Sequence, residues 1–261
     1  MLQIKNLTLT HKKDFRIILQ DFTCALNDGD KAVIIGEEGN GKSTLLKWLY
    51  HPELIEPYAE AKGERMAYLP QELPEEDREK ALYEFFAEDP AFYEQPPRSL
   101  SALAGKFHVP QDFFYGDQPM GTLSGGEKVK AQMMRLLMAQ PTALLLDEPS
   151  NDLDIETLEW LEELILDWPG IVLFISHDET LIERTANMVI HIEQIRRKTV
   201  CRHTIAHVPY LQYRREREDS FEKQARQAAN DRREKEIRDE KLHRIEQSVA
   251  YHLGAVSRQA P

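Results

Sequence analysis

Cysteines and long hydrophobic runs are both scarce in this chain, and each scarcity excludes a class of protein. The two cysteines, Cys24 and Cys201, have neither metal-ligand spacing nor a disulfide framework, so we expect a reduced, cytoplasmic setting. The longest apolar stretches, such as Ile171–Ile175, are far shorter than the roughly 20 residues that span a bilayer. Residues 1–10 alternate polar and apolar side chains and lack the features of a secretory signal. The sequence therefore predicts no transmembrane segment of its own, and a membrane role would come through a partner.

Basic residues are also in deficit. The 261 residues include 33 Lys and Arg against 45 Asp and Glu, a formal net charge of −12, so the whole chain carries no strong nucleic-acid footprint. Its hydrophobic fraction of 41% suits one large domain with an appendage.

A glycine-rich segment follows the apolar run Ala32–Ile35 and precedes a helical pattern that begins near Lys42. Glycines let successive backbone N–H groups converge on an anion, and the helix adds the positive end of its dipole. The lysine reaches the β and γ phosphates of ATP, and the serine hydroxyl after it coordinates Mg²⁺. The alternative, a tight turn with an incidental lysine, does not explain why strand, spacing, Lys–Ser pair and helix all agree. The predicted nucleotide-binding residues are Gly36, Glu37, Glu38, Gly39, Asn40, Gly41, Lys42, Ser43 and Thr44.

Hydrophobic patterning predicts an α/β fold around this loop. Leu2–Leu9 and Ile17–Leu26 have the pattern of antiparallel strands, whereas later buried strands alternate with helices and indicate a mostly parallel, covered sheet. Residues 81–129 lose the strand pattern and contain five prolines, which predicts an inserted helical subdomain. The remaining predicted elements are the strands Lys31–Ile35, Arg65–Leu69, Ala143–Leu146 and Ile171–Ile175 and the helices Lys42–Tyr50, Gly126–Met138 and Ile155–Asp167.

Polar side chains follow three of these strands at the point where each strand ends. Asp147 would hold Mg²⁺ together with Ser43, and Glu148 would polarise the water that attacks the γ phosphorus. His177 would donate a hydrogen bond to the γ phosphate, and Gln71 carries an amide able to bind the metal or the attacking water. Each of these residues has an ordinary structural alternative when it is considered alone. Together with the phosphate loop they predict Mg²⁺-dependent ATP hydrolysis.

A second helix start able to bind an anion is predicted at Ser124, Gly125 and Gly126. The serine hydroxyl and the two glycine N–H groups would form its surface. The alternative is a plain helix cap, with Glu127 completing a capping box.

The carboxyl-terminal segment predicts one long helix. Residues 211–247 contain eleven Lys or Arg and ten Asp or Glu, and neither proline nor glycine occurs between Tyr210 and Leu253. Some 40 helical residues would extend about 60 Å, so we expect this helix to project. A solvated mixed-charge helix or a disordered tail is the alternative. The apolar positions form a narrow seam that suits one neighbouring helix and comprise Leu242, Ile245, Val249, Leu253 and Val256.

The order of these motifs resembles the ATP-binding cassette superfamily over residues 1–205. The motifs are the phosphate loop, Gln71, Leu123–Glu127, Asp147 with Glu148, residues 150–154, and His177. The resemblance implies a P-loop NTPase core with an antiparallel β subdomain and an inserted helical subdomain. It also implies that two cassettes pair head to tail, with ATP between the phosphate loop of one and the Ser124–Gly126 segment of the other. An aromatic residue stacks on adenine in this family, and Phe15, with His11 as the alternative, is the predicted one.

Three further features resemble the amino-terminal half of a soluble ABC-F protein: Gly126-Glu127-Lys128, residues 154–162, and the charged helix. The resemblance implies a ribosome-associated translation or antibiotic-resistance factor, with a cassette at 1–208 and a helical linker arm at 209–261. The arm would contact RNA and tRNA, and the basic side chains able to serve phosphates include Arg214, Arg215, Arg232 and Arg233.

Two departures from the ABC-F pattern leave alternatives open. This chain has one cassette where ABC-F proteins have two, so we expect a fragment, a split half or a half that dimerises. Asp152 stands where many relatives carry histidine, which bears on communication between cassettes. The chain would alternatively be the ATP-hydrolysing subunit of an ABC membrane transporter, or a regulatory half with little activity alone. The long helix favours the soluble factor, because a transporter subunit has no need of it.

Overall fold

The computed structural model describes residues 1–10, 16–51, 59–60, 64–195 and 200–257, and at 59–60, 200 and 242–257 it describes the backbone alone. The chain divides into two units, Met1–Tyr210 and Leu211–Pro261. Among the described residues, the first unit contains two β-sheets and the second contains the long carboxyl-terminal helix.

The first sheet is antiparallel and has the strand order β2-β1-β4. Strand β1 covers Leu2–Thr10, β2 covers Ile17–Leu26 and the short β4 covers Ala59–Glu60. Buried apolar residues alternate with exposed polar residues along β1 and β2, as expected for a sheet with one face on the core. The predicted antiparallel pair is confirmed.

Within the part of the chain that the structure describes, the second sheet has six strands in the order β5-β6-β7-β3-β8-β9. Its first five strands run parallel, and β9 pairs antiparallel with β8. Every residue of β6 and β7 is buried, as expected for the central strands of a covered parallel sheet. On one face, Leu145 and Leu173 share a hydrophobic core with residues of β1 and β2. The predicted mostly parallel sheet is confirmed. The strands cover Lys31–Ile35 (β3), Met66–Leu69 (β5), Ala143–Asp147 (β6), Ile171–Ile175 (β7), Met188–Ile195 (β8) and Val200–Ala206 (β9).

The helices described in this core are Lys42–Tyr50 (α1), Gly125–Met138 (α6), Ile155–Asp167 (α7) and Glu179–Thr185 (α8). The strand order places the carboxyl ends of β5, β6, β7 and β3 side by side. Residues that directly follow these strands therefore meet at one edge of the sheet, the usual place for a ligand in an open α/β fold.

Short helices form the region between β5 and α6, in agreement with the predicted helical subdomain. Its core is aromatic: the ring centroids of Phe86 and Phe114 lie 5.0 Å apart, and those of Phe86 and Phe92 lie 6.0 Å apart. Pro90 and Pro97 begin helices, where a missing N–H costs nothing. The elements are Glu75–Arg78 (α2), Leu82–Ala87 (α3), Pro90–Glu94 (α4), Pro97–Lys106 (α5) and the 3₁₀ helices Gln111–Tyr115 and Met120–Thr122.

Sequence patterning does not predict α8, β8 and β9. Helix α8 has only seven residues, too few for a clear helical period. In β8 the polar side chains of His191 and Glu193 stand among apolar residues, and in β9, the edge strand among the described residues, Arg202 does the same.

The second unit contains helix α9, which covers Tyr210–Ser257 and continues through Gly254. Oppositely charged or polar side chains four residues apart support it, including Glu222 with Arg226 at 3.2 Å and Gln227 with Asp231 at 3.0 Å. The predicted long helix is confirmed. The side chains of its predicted apolar seam are not among those that the structure describes. Among the described residues, we find no helix with the length and apolar character needed to cross a membrane.

Candidate functional site

The phosphate loop connects β3 to α1 at the ligand edge of the sheet, as predicted. The ammonium group of Lys42 donates to the carbonyl oxygens of Gly36, at 2.8 Å, and Glu37, at 3.2 Å. Only 8% of Lys42 is exposed, and burial lowers its pKa, while the nearby Glu148, Glu38 and Asp147 charges oppose that shift. The lysine is therefore folded over the loop, with its charge held where a phosphate would lie.

Gly41 shows why glycine is required in this loop. Its φ is +83°, and a Cβ atom at this position would overlap with the side chain of Ile18. Gly41 thus combines a left-handed backbone with a close approach to Ile18, directly before Lys42, the first residue of α1. The loop is further tied to β8, since the buried Asn40 side chain donates from Nδ2 to the Ile192 carbonyl at 3.2 Å.

We expect Gly41→Ala to lower the free energy of unfolding by roughly 2–4 kcal/mol, because it combines left-handed strain with overpacking. Gly29→Ala is the matched control, since Gly29 has a φ of +87° but nothing within 4 Å of an added Cβ. Urea unfolding of both variants separates strain from steric overlap. Equal destabilisation of the two would contradict the role assigned to Ile18 contact.

An oxygen-rich pair lies between the loop and β6. The Ser43 hydroxyl donates to Oδ1 of Asp147 at 2.8 Å, and the Tyr68 hydroxyl donates to Oδ2 of the same carboxylate at 3.0 Å. Hydroxyl and carboxylate oxygens are the hard ligands that Mg²⁺ prefers, and one or two protein ligands suffice when phosphates supply others. The donor set that Ser43 and Asp147 provide therefore fits Mg²⁺.

Glu148 sits in a constrained position one residue further along. Its φ is +51°, a left-handed value that costs a non-glycine residue about 1–2 kcal/mol. Its N–H donates to the Ile175 carbonyl at 3.0 Å, which fixes the turn after β6 to the end of β7. The side chain is 6% exposed, and burial raises its pKa, with His177 and Lys42 acting in the opposite direction. A raised pKa is a property expected of a carboxylate that accepts a proton.

His177 meets Glu148 directly. The backbone N–H of His177 donates to Oε2 of Glu148 at 3.1 Å, and the imidazole Nε2 of His177 lies 3.2 Å from Oε1 of Glu148. The imidazole is 57% exposed, so it remains accessible from the cavity. The structure therefore joins two residues that the sequence predicted separately, at neighbouring strand ends.

Lys42, Ser43, Glu148 and His177 line a cavity of about 610 Å³. Among the described residues that line it, Arg16, Ile18 and Asn151 fall outside the predicted site. Arg16 donates from Nη2 to the Gly39 carbonyl at 2.8 Å, a contact that no local sequence pattern reveals. Tyr68, whose hydroxyl donates to Asp147, is likewise outside the predicted set. Phe15 and His11, the candidates for adenine stacking, lie outside the described residues. The predicted residues that line the cavity are Glu38, Gly39, Gly41, Lys42, Ser43, Thr44, Gln71, Glu148 and His177.

The Ser124–Gly126 segment lies elsewhere. Ser124 caps α6, where its hydroxyl accepts from the Glu127 N–H at 3.3 Å and Glu127 accepts from the Ser124 N–H at 2.9 Å. Gly125 approaches the Asp152 carbonyl so closely that a Cβ would overlap with it. Among the described residues, none of these three lines the phosphate-loop cavity, whereas Gly125 lines a second cavity of about 360 Å³ together with Gln71.

Comparison with known proteins gives a consistent assignment. The family profile described as ABC transporter matches residues 19–151. The ATP-binding protein YdiF of Bacillus subtilis is 32% identical over 205 residues, which cover 74% of this chain and 30% of YdiF. The energy-dependent translational throttle protein EttA of Haemophilus influenzae is 34% identical over 201 residues, which cover 73% of this chain and 34% of EttA. The chain thus spans about a third of the length of these relatives.

The fold has solved counterparts. The dimeric structure of MJ0796, a bacterial ABC transporter cassette, superposes with a TM-score of 0.59 at 18% identity, covering 74% of this chain and 94% of the other. The likeness confirms the predicted cassette fold, and the relatives confirm the predicted resemblance to ABC-F proteins. The profile match covers half of the sequence and includes the phosphate loop and both carboxylates at the end of β6. By this match, the chain belongs to the ABC transporter family of ATP-binding cassettes.

Proposed function

We propose that this chain binds ATP with Mg²⁺ and hydrolyses it when its cassette pairs with a second one, within a cytoplasmic ribosome-associated factor of ABC-F type. The observation that carries the chemistry is the convergence of Lys42, Ser43 and the Glu148–His177 pair on one cavity, with the buried Asp147 carboxylate hydrogen-bonded to Ser43. ATP-binding cassettes are ATPases, so a general hydrolytic activity follows from family membership.

Each side chain has a distinct task in this proposal. Lys42 binds the β and γ phosphates, and Ser43 with Asp147 holds the metal. Bound Mg²⁺ would neutralise charge that develops on the phosphates. Glu148 accepts a proton from the attacking water, and His177, in contact with Glu148, hydrogen-bonds to the γ phosphate. Gln71 lines both cavities, so in this proposal it contacts the nucleotide in the first cavity and also borders the second cavity.

Pairing with another cassette is supported by the separation of the two anion-binding segments. Ser124–Gly126 caps a helix away from the phosphate-loop cavity, so a second copy or a separate cassette would supply the corresponding segment to this nucleotide. The MJ0796 cassette, which shares the fold, forms a dimer.

The ribosomal role is supported by α9 and by the relatives. In this proposal residues 1–208 form the cassette and residues 209–261 form a linker arm that contacts ribosomal RNA or tRNA. EttA, whose name describes a translational throttle, aligns with 73% of this chain. Arginines on α9 would meet phosphates by charge attraction, although acidic residues are interleaved with them.

Cosedimentation with ribosomes tests this role. We expect the full chain to pellet with ribosomes in the presence of ATP, and replacement of four arginines of α9 by glutamine to weaken binding by roughly tenfold or more and reduce its salt dependence. Matched replacement of four glutamates on the same helix should leave binding equal or stronger. The arginines are Arg214, Arg215, Arg232 and Arg233, and the control glutamates are Glu216, Glu218, Glu234 and Glu236. Absent cosedimentation, or equal cosedimentation without residues 209–261, would favour a transporter subunit or a regulatory half.

A further inference from the structure

The structure assigns Tyr68 the task of positioning Asp147 for Mg²⁺. This inference rests on the proposed Mg²⁺-dependent ATP chemistry and adds a residue that the motif analysis does not contain. Tyr68 would not touch the metal or the nucleotide. It acts through the carboxylate, by fixing the orientation in which that group presents its other oxygen to Ser43.

The two oxygens of Asp147 have different partners. Oδ1 accepts from the Ser43 hydroxyl at 2.8 Å, and Oδ2 accepts from the Tyr68 hydroxyl at 3.0 Å. Rotation about the last torsion of an aspartate is broad and only weakly restrained by itself. A donor on the far oxygen restrains this rotation, so that Oδ1 stays on the side of the phosphate loop.

The surroundings of Asp147 make this donor important. Asp147 is 1% exposed, so water has little access to replace a lost hydrogen bond. Outer hydrogen bonds of this kind commonly orient metal ligands.

The sheet register and a second ring hold Tyr68 in place. Strands β5 and β6 pair in parallel, with Tyr68 opposite Leu145 and Leu69 opposite Leu146. The ring of Tyr68 packs against that of Tyr50 at a centroid distance of 5.5 Å and an interplanar angle of 31°. Tyr50 is the last residue of α1, the helix whose first turn carries Ser43. The same helix thus supports both residues that bond to Asp147.

Tyr68→Phe tests the inference, because it removes the hydroxyl and keeps the ring. Binding of the slowly hydrolysed analogue AMP-PNP is measured calorimetrically over a series of Mg²⁺ concentrations and in EDTA. We expect the Mg²⁺ concentration for half-maximal enhancement of binding to rise roughly tenfold, the low end of the range for lost outer-shell contacts, with affinity in EDTA unchanged. Tyr50→Phe is the control, since it removes a hydroxyl from the adjacent ring, and that hydroxyl is not the one that donates to Asp147.

Further outcomes separate failure of this inference from failure of the proposed function. In an Asp147→Asn background, Tyr68→Phe should cause no additional change, because the carboxylate through which it acts is gone. Unchanged Mg²⁺ dependence of Tyr68→Phe, or an equal loss of affinity in EDTA, would overturn the inference and leave the proposed function standing. Wild-type protein that binds AMP-PNP no better with Mg²⁺ than in EDTA would instead overturn the proposed function together with the inference.

Discussion

Replacing Glu148 by glutamine is expected to reduce ATP hydrolysis by roughly 10²–10⁴-fold while ATP binding is retained, the range attributed to a positioned general base. Glutamine has nearly the same shape but cannot accept the proton of the attacking water. Lys42, Ser43 and Asp147 are unchanged in this variant, so the groups assigned to binding stay in place. Phosphate release measures the first effect, and calorimetric titration with ATP measures the second.

The same variant should accumulate as a pair of cassettes in ATP. If each nucleotide lies between a phosphate loop and the Ser124–Gly126 segment of another cassette, slow hydrolysis leaves the pair closed. Size-exclusion chromatography with and without ATP detects the change in size. Glu163→Gln, an exposed carboxylate on α7, provides a control with the same loss of charge. A Glu148→Gln protein that stays monomeric in ATP would argue against self-pairing and favour a separate partner cassette.

The environment of Glu148 bears on how this base works. Burial raises its pKa, and the adjacent Asp147 charge adds to the shift, whereas His177 and Lys42 reduce it. A carboxylate with a raised pKa binds a proton more readily, yet it also loses its basic form at a higher pH than an exposed glutamate does. The contact with His177 limits this loss, because the imidazole lies 3.2 Å from Oε1.

Local sequence was enough to predict the phosphate loop and the positions of the acidic and histidine residues. Glycine spacing, a buried strand before the loop and a helix after it all lie within about 20 residues. Asp147 ends β6, Glu148 follows it directly, and His177 lies two residues after β7, and both strands have a strong apolar pattern. Strand ends of a parallel sheet meet at one edge, so the prediction that they form one site follows from general topology.

Contacts that depend on the register between distant strands could not be predicted in this way. Tyr68 reaches Asp147 only because β5 pairs with β6. In the sequence, a tyrosine at this position looks like any other half-buried strand residue. Arg16 lies just before β2 of the first sheet, and it reaches the Gly39 carbonyl in the loop that follows β3 of the second sheet. The strand β9 lacks a clear apolar pattern, and among the described residues it forms the edge of its sheet.

Replacing Lys42 by alanine should weaken ATP binding by roughly 30- to 1,000-fold, which corresponds to about 2–4 kcal/mol for losing one buried charged partner of a phosphate. Lys42 is 8% exposed, and its ammonium group already donates to loop carbonyls, so little reorganisation would accompany phosphate binding. Calorimetric titration with ATP and Mg²⁺ measures the loss. Lys47→Ala, on the exposed face of the same helix, removes an equal charge and should bind ATP like the wild type.

The comparison of Lys42→Ala with Glu148→Gln separates binding from chemistry. Lys42 interacts with phosphates both before and during the reaction, so its loss should reduce affinity and hydrolysis together. Glu148 acts on the attacking water, so its replacement should reduce hydrolysis alone. Equal loss of ATP affinity in the two variants would contradict these separate roles, and the 3.2 Å contact of Glu148 with His177 would then be part of the binding surface rather than of the hydrolytic step.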